Sequence, residues 1–183
     1  MTPSEFEHLA ALYADMDAAY DKVAKTYDFH CQGCKDNCCT SLFFHHTHVE
    51  KAYLAYGFST LADSDQRIIR QRADDYIKET FESQGNLESK KILCPLNQDE
   101  KCMIYAFRPM ICRLHGLPYE LHRPGAFPMK GPGCHAGNFH PYTPFDRTPF
   151  YQRMAQVEME FRTRFNKTGK IKETIAQILE NTD

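Results

Sequence analysis

Residues 31 to 39 read Cys-Gln-Gly-Cys-Lys-Asp-Asn-Cys-Cys, four thiols in nine positions, and four more follow at Cys94, Cys102, Cys112 and Cys134. Thiolates gathered this densely bind soft or borderline metals, usually zinc or the iron of iron–sulfur clusters. Cys31 and Cys34 have the spacing with which one turn delivers two thiolates to one ion, and Cys38 or Cys39 can supply a third. The adjacent pair cannot easily serve one ion, because neighbouring side chains in extended backbone point to opposite sides. One member is then a ligand and the other a core thiol, or each belongs to a different site. A single peptide segment does not close the sphere, so a fourth ligand is expected from the distal group. Metal binding would thus tie residue 31 to the region beyond residue 94, and much of its free energy would be folding free energy.

The distal cysteines have their own logic. Cys94 and Cys102 fall on the two arms of a predicted hairpin. Cys112 falls in the first turns of a helix opened by Pro109, where the helix dipole favours a thiolate. Four thiolates on a divalent ion leave a net charge of about −2, which backbone amides and cations must offset. Arg108 and Arg113 flank Cys112 and could do so, or could hold an anionic cofactor or ligand beside the metal. His30, His45, His46, His48, His115 and His135 are further donors, any of which could replace a cysteine, although a partly exposed polar histidine is the default. No HExxH, GxGxxG or P-loop pattern is present, and no one cysteine stands out as a nucleophile.

Helices must carry these groups. Thr2, Pro3 and Glu5 make a helix start, and apolar residues recur at Phe6, Leu9, Tyr13, Met16, Tyr20, Val23 and Tyr27. That stripe packs on its own domain or forms a seam for a second copy of the chain. Gly33 and Asn37 permit tight turns in the cysteine run. Thr47 and Glu50 open a short helix that Gly57 is expected to end. A longer helix from Asp63 or Ser64 runs through Ile68, Ile69, Ala73, Tyr76, Ile77 and Phe81, closing near Gly85. Ile92 to Leu96 and Cys102 to Tyr105 suggest two short strands joined by residues 97–101. Residues 116–149 are rich in Pro and Gly, and a loop that long needs an anchor, which ligation through Cys134 would supply. Thr148-Pro149 opens another helix with a stripe at Phe150, Met154, Val157, Phe161 and Phe165, and Ile171, Ile175, Ile178 and Leu179 mark a final one. The expected fold is mainly α: a single domain over 1–183, with terminal helices (3–27 and 149–181) flanking a cysteine-rich, loop-rich centre with one short β-hairpin.

Composition narrows the function classes. The net charge is −2 with both signs interspersed, which gives no electrostatic reason to expect nucleic acid or an anionic membrane. No window approaches the roughly 18 apolar residues of a membrane span, and the N-terminus lacks the basic and apolar regions of a secretory signal. A cytoplasmic setting is expected, where thiols stay reduced and Cys-x-x-Cys spacing favours metal or redox chemistry over disulfides.

The pattern resembles the CxxCxxCC (YkgJ-like) family of zinc- or iron-chelating domain proteins. The family pattern is an N-proximal cysteine run, a block of the form C-P-x-L…C-x-I-Y-x-x-R-P-x-x-C-R, and a late cysteine. This chain has Cys94-Pro95-Leu96, a shortened first element, then Cys102-Met103-Ile104-Tyr105-Ala106-Phe107-Arg108-Pro109-Met110-Ile111-Cys112-Arg113. The resemblance covers about residues 31 to 134. Three residues separate Cys34 from Cys38, where the family usually has two. The resemblance implies a cysteine-bound metal, a [4Fe–4S] cluster or Zn2+, with iron–sulfur favoured slightly by larger relatives, the flagellin lysine N-methylases. The expected role is a metal-stabilised binding module or a small redox or transfer activity on a protein or small-molecule partner. An iron–sulfur enzyme related to those methylases, or a metal carrier, is the alternative.

Overall fold

The computed structural model describes residues 1–30, 38–82, 91–135 and 137–182. It is mainly α. The helices are α1 (Glu7–Thr26), α2 (His48–Ser59), α3 (Asp63–Ile77), α4 (Met110–Arg113), α5 (Thr148–Arg164) and α6 (Ile175–Glu180). Two small sheets are built from β1 (Asn97–Gln98), β2 (Lys101–Cys102), β3 (Tyr119–Leu121), β4 (Met129–Gly131) and β5 (Phe145–Asp146). The length suggested one domain; the backbone divides into two compact units. The first is Met1–Cys38 with Met110–Asn166, and the second is Cys39–Pro109 with Lys167–Asp183. The division falls between the adjacent cysteines.

In the first unit, Thr2 and Glu5 form the expected capping box on a 3-10 turn (Pro3–Phe6) that leads into α1. The first half of the α1 stripe is buried, with Leu12 added to it: Phe6, Leu9, Leu12, Tyr13 and Met16 are all at most 2% exposed, while Tyr20, Val23 and Tyr27 are half-buried. Phe6 stacks on Phe161 of α5 with ring centroids 6.4 Å apart. α5 starts at the expected place, but Thr148 is not its cap. The Asp146 carboxylate accepts from the Thr148 amide at 2.9 Å, and the Thr148 hydroxyl instead accepts from the amide of His122.

The region 116–149 is not the open loop its composition suggested. β3 pairs antiparallel with β4 and parallel with β5, in the order β4-β3-β5. Strands of two or three residues carry too little alternation to be read from sequence. Backbone anchors complete the hold: the Cys134 amide donates to the Gly116 carbonyl at 2.8 Å, and the Phe145 amide to the Pro118 carbonyl. Gly133, at φ +83°, admits this approach, since a Cβ there would stand 2.8 Å from the Gly116 oxygen.

The second unit packs α2, α3 and α6 over Leu54, Phe58, Ile69, Ala73, Leu96, Ile178 and Leu179. α2 begins after Thr47 as expected but runs two residues beyond Gly57. Gly57 is there for close packing: a Cβ would lie 2.3 Å from Cγ of Phe107. Within the expected α3 stripe, Ile68 and Phe81 face solvent, at 52% and 38% exposure. A π-helical turn (Lys78–Glu82) continues α3, and the expected stop at Gly85 lies outside the described residues. The predicted hairpin exists with a shifted register. Asn97 pairs with Cys102 and Gln98 with Lys101, so the turn is Asp99-Glu100, both at positive φ. His45 bridges to Glu173, giving and taking one backbone bond.

No helix among the described residues is long and apolar enough to cross a membrane.

Candidate functional site

Cys31 and Cys34 lie outside the described residues. The other six cysteines are free thiols. They divide between the units: Cys38, Cys112 and Cys134 belong to the first, and Cys39, Cys94 and Cys102 to the second.

The second unit's three thiols come from segments that share hydrogen bonds. The Cys94 amide donates to the Cys39 carbonyl at 2.7 Å, and the Asn97 amide turns back to the Cys94 carbonyl at 2.9 Å. Asn97 is the register partner of Cys102. The backbone of residue 39 therefore lies beside that of residue 94. Burial pushes the Cys102 thiol above its ordinary range. The Ile104 amide pulls it down, the Cys39 charge pushes it up further, and Arg108 opposes that rise. A thiol in this state stays protonated until a cation or an oxidant claims its sulfur.

The first unit treats its cysteines differently. Cys112 sits third in α4, a single turn of four residues after Pro109, and is buried. The helix expected to lend it a dipole is thus one turn long. Cys134 is fixed through its backbone to Gly116.

The two arginines that flank Cys112 in sequence fall in different units. Arg108 lies over the Tyr105 ring at 3.7 Å and near Cys102, whose thiolate it favours. Arg113 is 7% exposed, lies 4.1 Å above the Tyr13 ring and pairs with the Asp17 carboxylate at 2.5 Å. The histidines follow the exposed default except His45, which is 3% exposed with no hydrogen-bond partner for Nε2 among the described residues. His46 and His48 bond the carbonyls of Ile171 and Gly169, holding the segment that leads to α6.

Among the described residues, no three His, Cys, Asp or Glu side chains form a set that could hold a metal ion. The described donors have the right chemistry, reduced and partly buried thiols, without a ready-made site. Any site would need them to close further or to be joined by Cys31 and Cys34.

A feature the sequence did not reveal adjoins Cys94. A cavity of about 490 Å³ opens between the last turns of α3 and the segment through residues 92–99. Arg72, Asp75, Tyr76, Cys94, Asn97 and Asp99 are among its walls. Burial raises the Tyr76 hydroxyl's pKa, the Cys94 charge adds to that, and a bond with Thr80 opposes it. Arg72, Asp75, Tyr76 and Glu79 recur at helical spacing on one face, a signal masked in the sequence by the charged composition of α3.

Comparison with protein-family models, with curated proteins and with solved structures finds no match to this chain.

Proposed function

We propose that this chain is a cysteine-ligated metalloprotein of the CxxCxxCC kind, holding zinc or an iron–sulfur cluster. The observation that carries the reading is the bond between the Cys94 amide and the Cys39 carbonyl, which brings the end of the N-terminal run against the distal block. Cys39, Cys94 and Cys102 would be the ligands contributed by the second unit. Cys31, Cys34, Cys38, Cys112 and Cys134 complete the candidate set, and Arg108 would offset thiolate charge. The metal would supply cross-linking free energy if its ligand sphere is closed, and Lewis-acid or electron-transfer chemistry if it is open. The cavity beside Cys94 favours the open alternative, a small enzyme, over a purely structural module.

The test is metal content across a substitution pair. Cys102→Ser should lower bound zinc or iron in protein purified without oxygen, whereas His46→Ala should not. Full metal retention in Cys102→Ser with loss in His46→Ala would move the site to the histidines.

A further inference from the structure

The cavity of the second unit has a ligand chemistry of its own. Its most telling wall is Asn97. The residue is 7% exposed and lines the cavity. Its backbone is fully used: the amide bonds the Cys94 carbonyl and its carbonyl accepts from Arg72 Nη1 at 3.2 Å. Its side-chain amide has no hydrogen-bond partner among the described residues. A carboxamide this buried normally has hydrogen bonds. An amide left open toward a cavity is a group waiting for a ligand.

Charge decides which ligand. Arg72 reaches the same cavity, and its bond to the Asn97 carbonyl uses only one of its five N–H donors. Arg72 and the Asn97 amide together suit a carboxylate. Asp75, Glu79 and Asp99 also line the cavity; Asp75 accepts from the Gln71 side-chain amide at 3.2 Å, and neither Asp75 nor Asp99 forms an ion pair among the described residues. A simple carboxylate would meet their repulsion, and a simple amine would leave Arg72 and Asn97 unused. A ligand carrying both a carboxylate and an ammonium satisfies both walls. Ile92, Leu93 and Pro95 supply an apolar floor for a side chain. The volume lies within the range of small-molecule pockets.

We infer that this cavity binds a small zwitterion of the amino-acid type, its carboxylate on Arg72 and Asn97 and its ammonium toward Asp75 and Asp99. The inference does not rest on the metal reading, because none of these four side chains is a candidate ligand.

The test uses the full chain and three probes of matched stem: L-leucine, 4-methylpentanoate, which lacks the ammonium, and 3-methylbutylamine, which lacks the carboxylate. Binding is followed by titration of the backbone and side-chain amide resonances. L-Leucine should shift the Asn97 side-chain signal saturably below about 10 mM, and each half-probe should bind at least about tenfold more weakly. Asn97→Ala breaks no hydrogen bond among the described residues, so it should fold as the wild type and lose about tenfold in leucine affinity. Arg72→Gln should weaken leucine and leave the amine unchanged. The inference is overturned if leucine does not saturate in that range, if 4-methylpentanoate binds as well as leucine, or if Asn97→Ala binds unchanged. Metal content is read on the same samples, so the failure of one reading leaves the other standing.

Discussion

Arg113 and Arg72 are the same side chain put to opposite uses. In the first unit, Arg113 is 7% exposed, covers Tyr13 and meets Asp17. Arg147 in that unit is 5% exposed, lies over Tyr119 at 3.6 Å and donates to the Leu114 carbonyl. In the second unit, Arg72 is exposed, lines a cavity and, among the described residues, holds one carbonyl and no other partner. The first pattern joins one segment to another, and the second leaves binding capacity unspent. What an arginine does is set by which partners the fold brings to it, which its sequence neighbours do not reveal.

The largest expected effect tests this contrast directly. Arg113→Ala should destabilise the protein by about 1–3 kcal/mol. That lies below the usual cost of breaking a buried pair because the Asp17 side chain is 40% exposed and water screens the charge left behind. Arg72→Ala should change stability by less than about 0.5 kcal/mol. Chemical denaturation of both variants reads the difference, and equal losses would erase the distinction between the two arginines.

A smaller effect concerns pH. Burial lowers the pKa of His45, with Glu50 opposing and His46 adding to the shift. The folded state therefore holds a neutral imidazole, while the unfolded chain takes up a proton near the ordinary value. Stability from this group is complete above about pH 6.5 and is lost as the pH falls toward the depressed folded value. Because His45 bridges to Glu173, just before α6, hydrogen-exchange protection of α6 should fall between about pH 7 and pH 5.5 by more than that of α5. His45→Gln should flatten that difference. Parallel loss in α5 and α6, unaltered by the substitution, would remove His45 from the explanation.

The smallest effect belongs to Lys51 and Glu173, paired at 2.7 Å with side chains 30% and 21% exposed. A double-mutant cycle should give about 0.5 kcal/mol and shrink in high salt. A coupling above about 2 kcal/mol would mean that the hold on the α6 segment is mainly ionic.

Much of the helical frame was legible because its signals are local. Thr2-Pro3-Ser4-Glu5 carries its own cap, and the stripes of α1 and α5 are long enough to fix a period. The β3–β5 sheet was not legible, since three short strands are defined by long-range pairing in a Pro- and Gly-rich region. Gly57 was misread for a related reason: a glycine that ends a helix and one that admits Phe107 look alike in sequence. Of the site, the eight cysteines were plain from the sequence, whereas the bond between the Cys94 amide and the Cys39 carbonyl is a long-range backbone contact that spacing does not fix. The cavity was hidden, because Asn97 reads as a turn residue until its register with Cys102 and its open side chain are seen.

The central claim is that these thiols hold a metal. Elemental analysis and the absorption spectrum of wild-type protein purified without oxygen test it most directly. The account predicts zinc or iron in whole-number ratio to protein, with thiol reactivity suppressed until a chelator is added. A folded, fully reduced protein containing neither metal, with its thiols equally reactive with and without chelator, would contradict it.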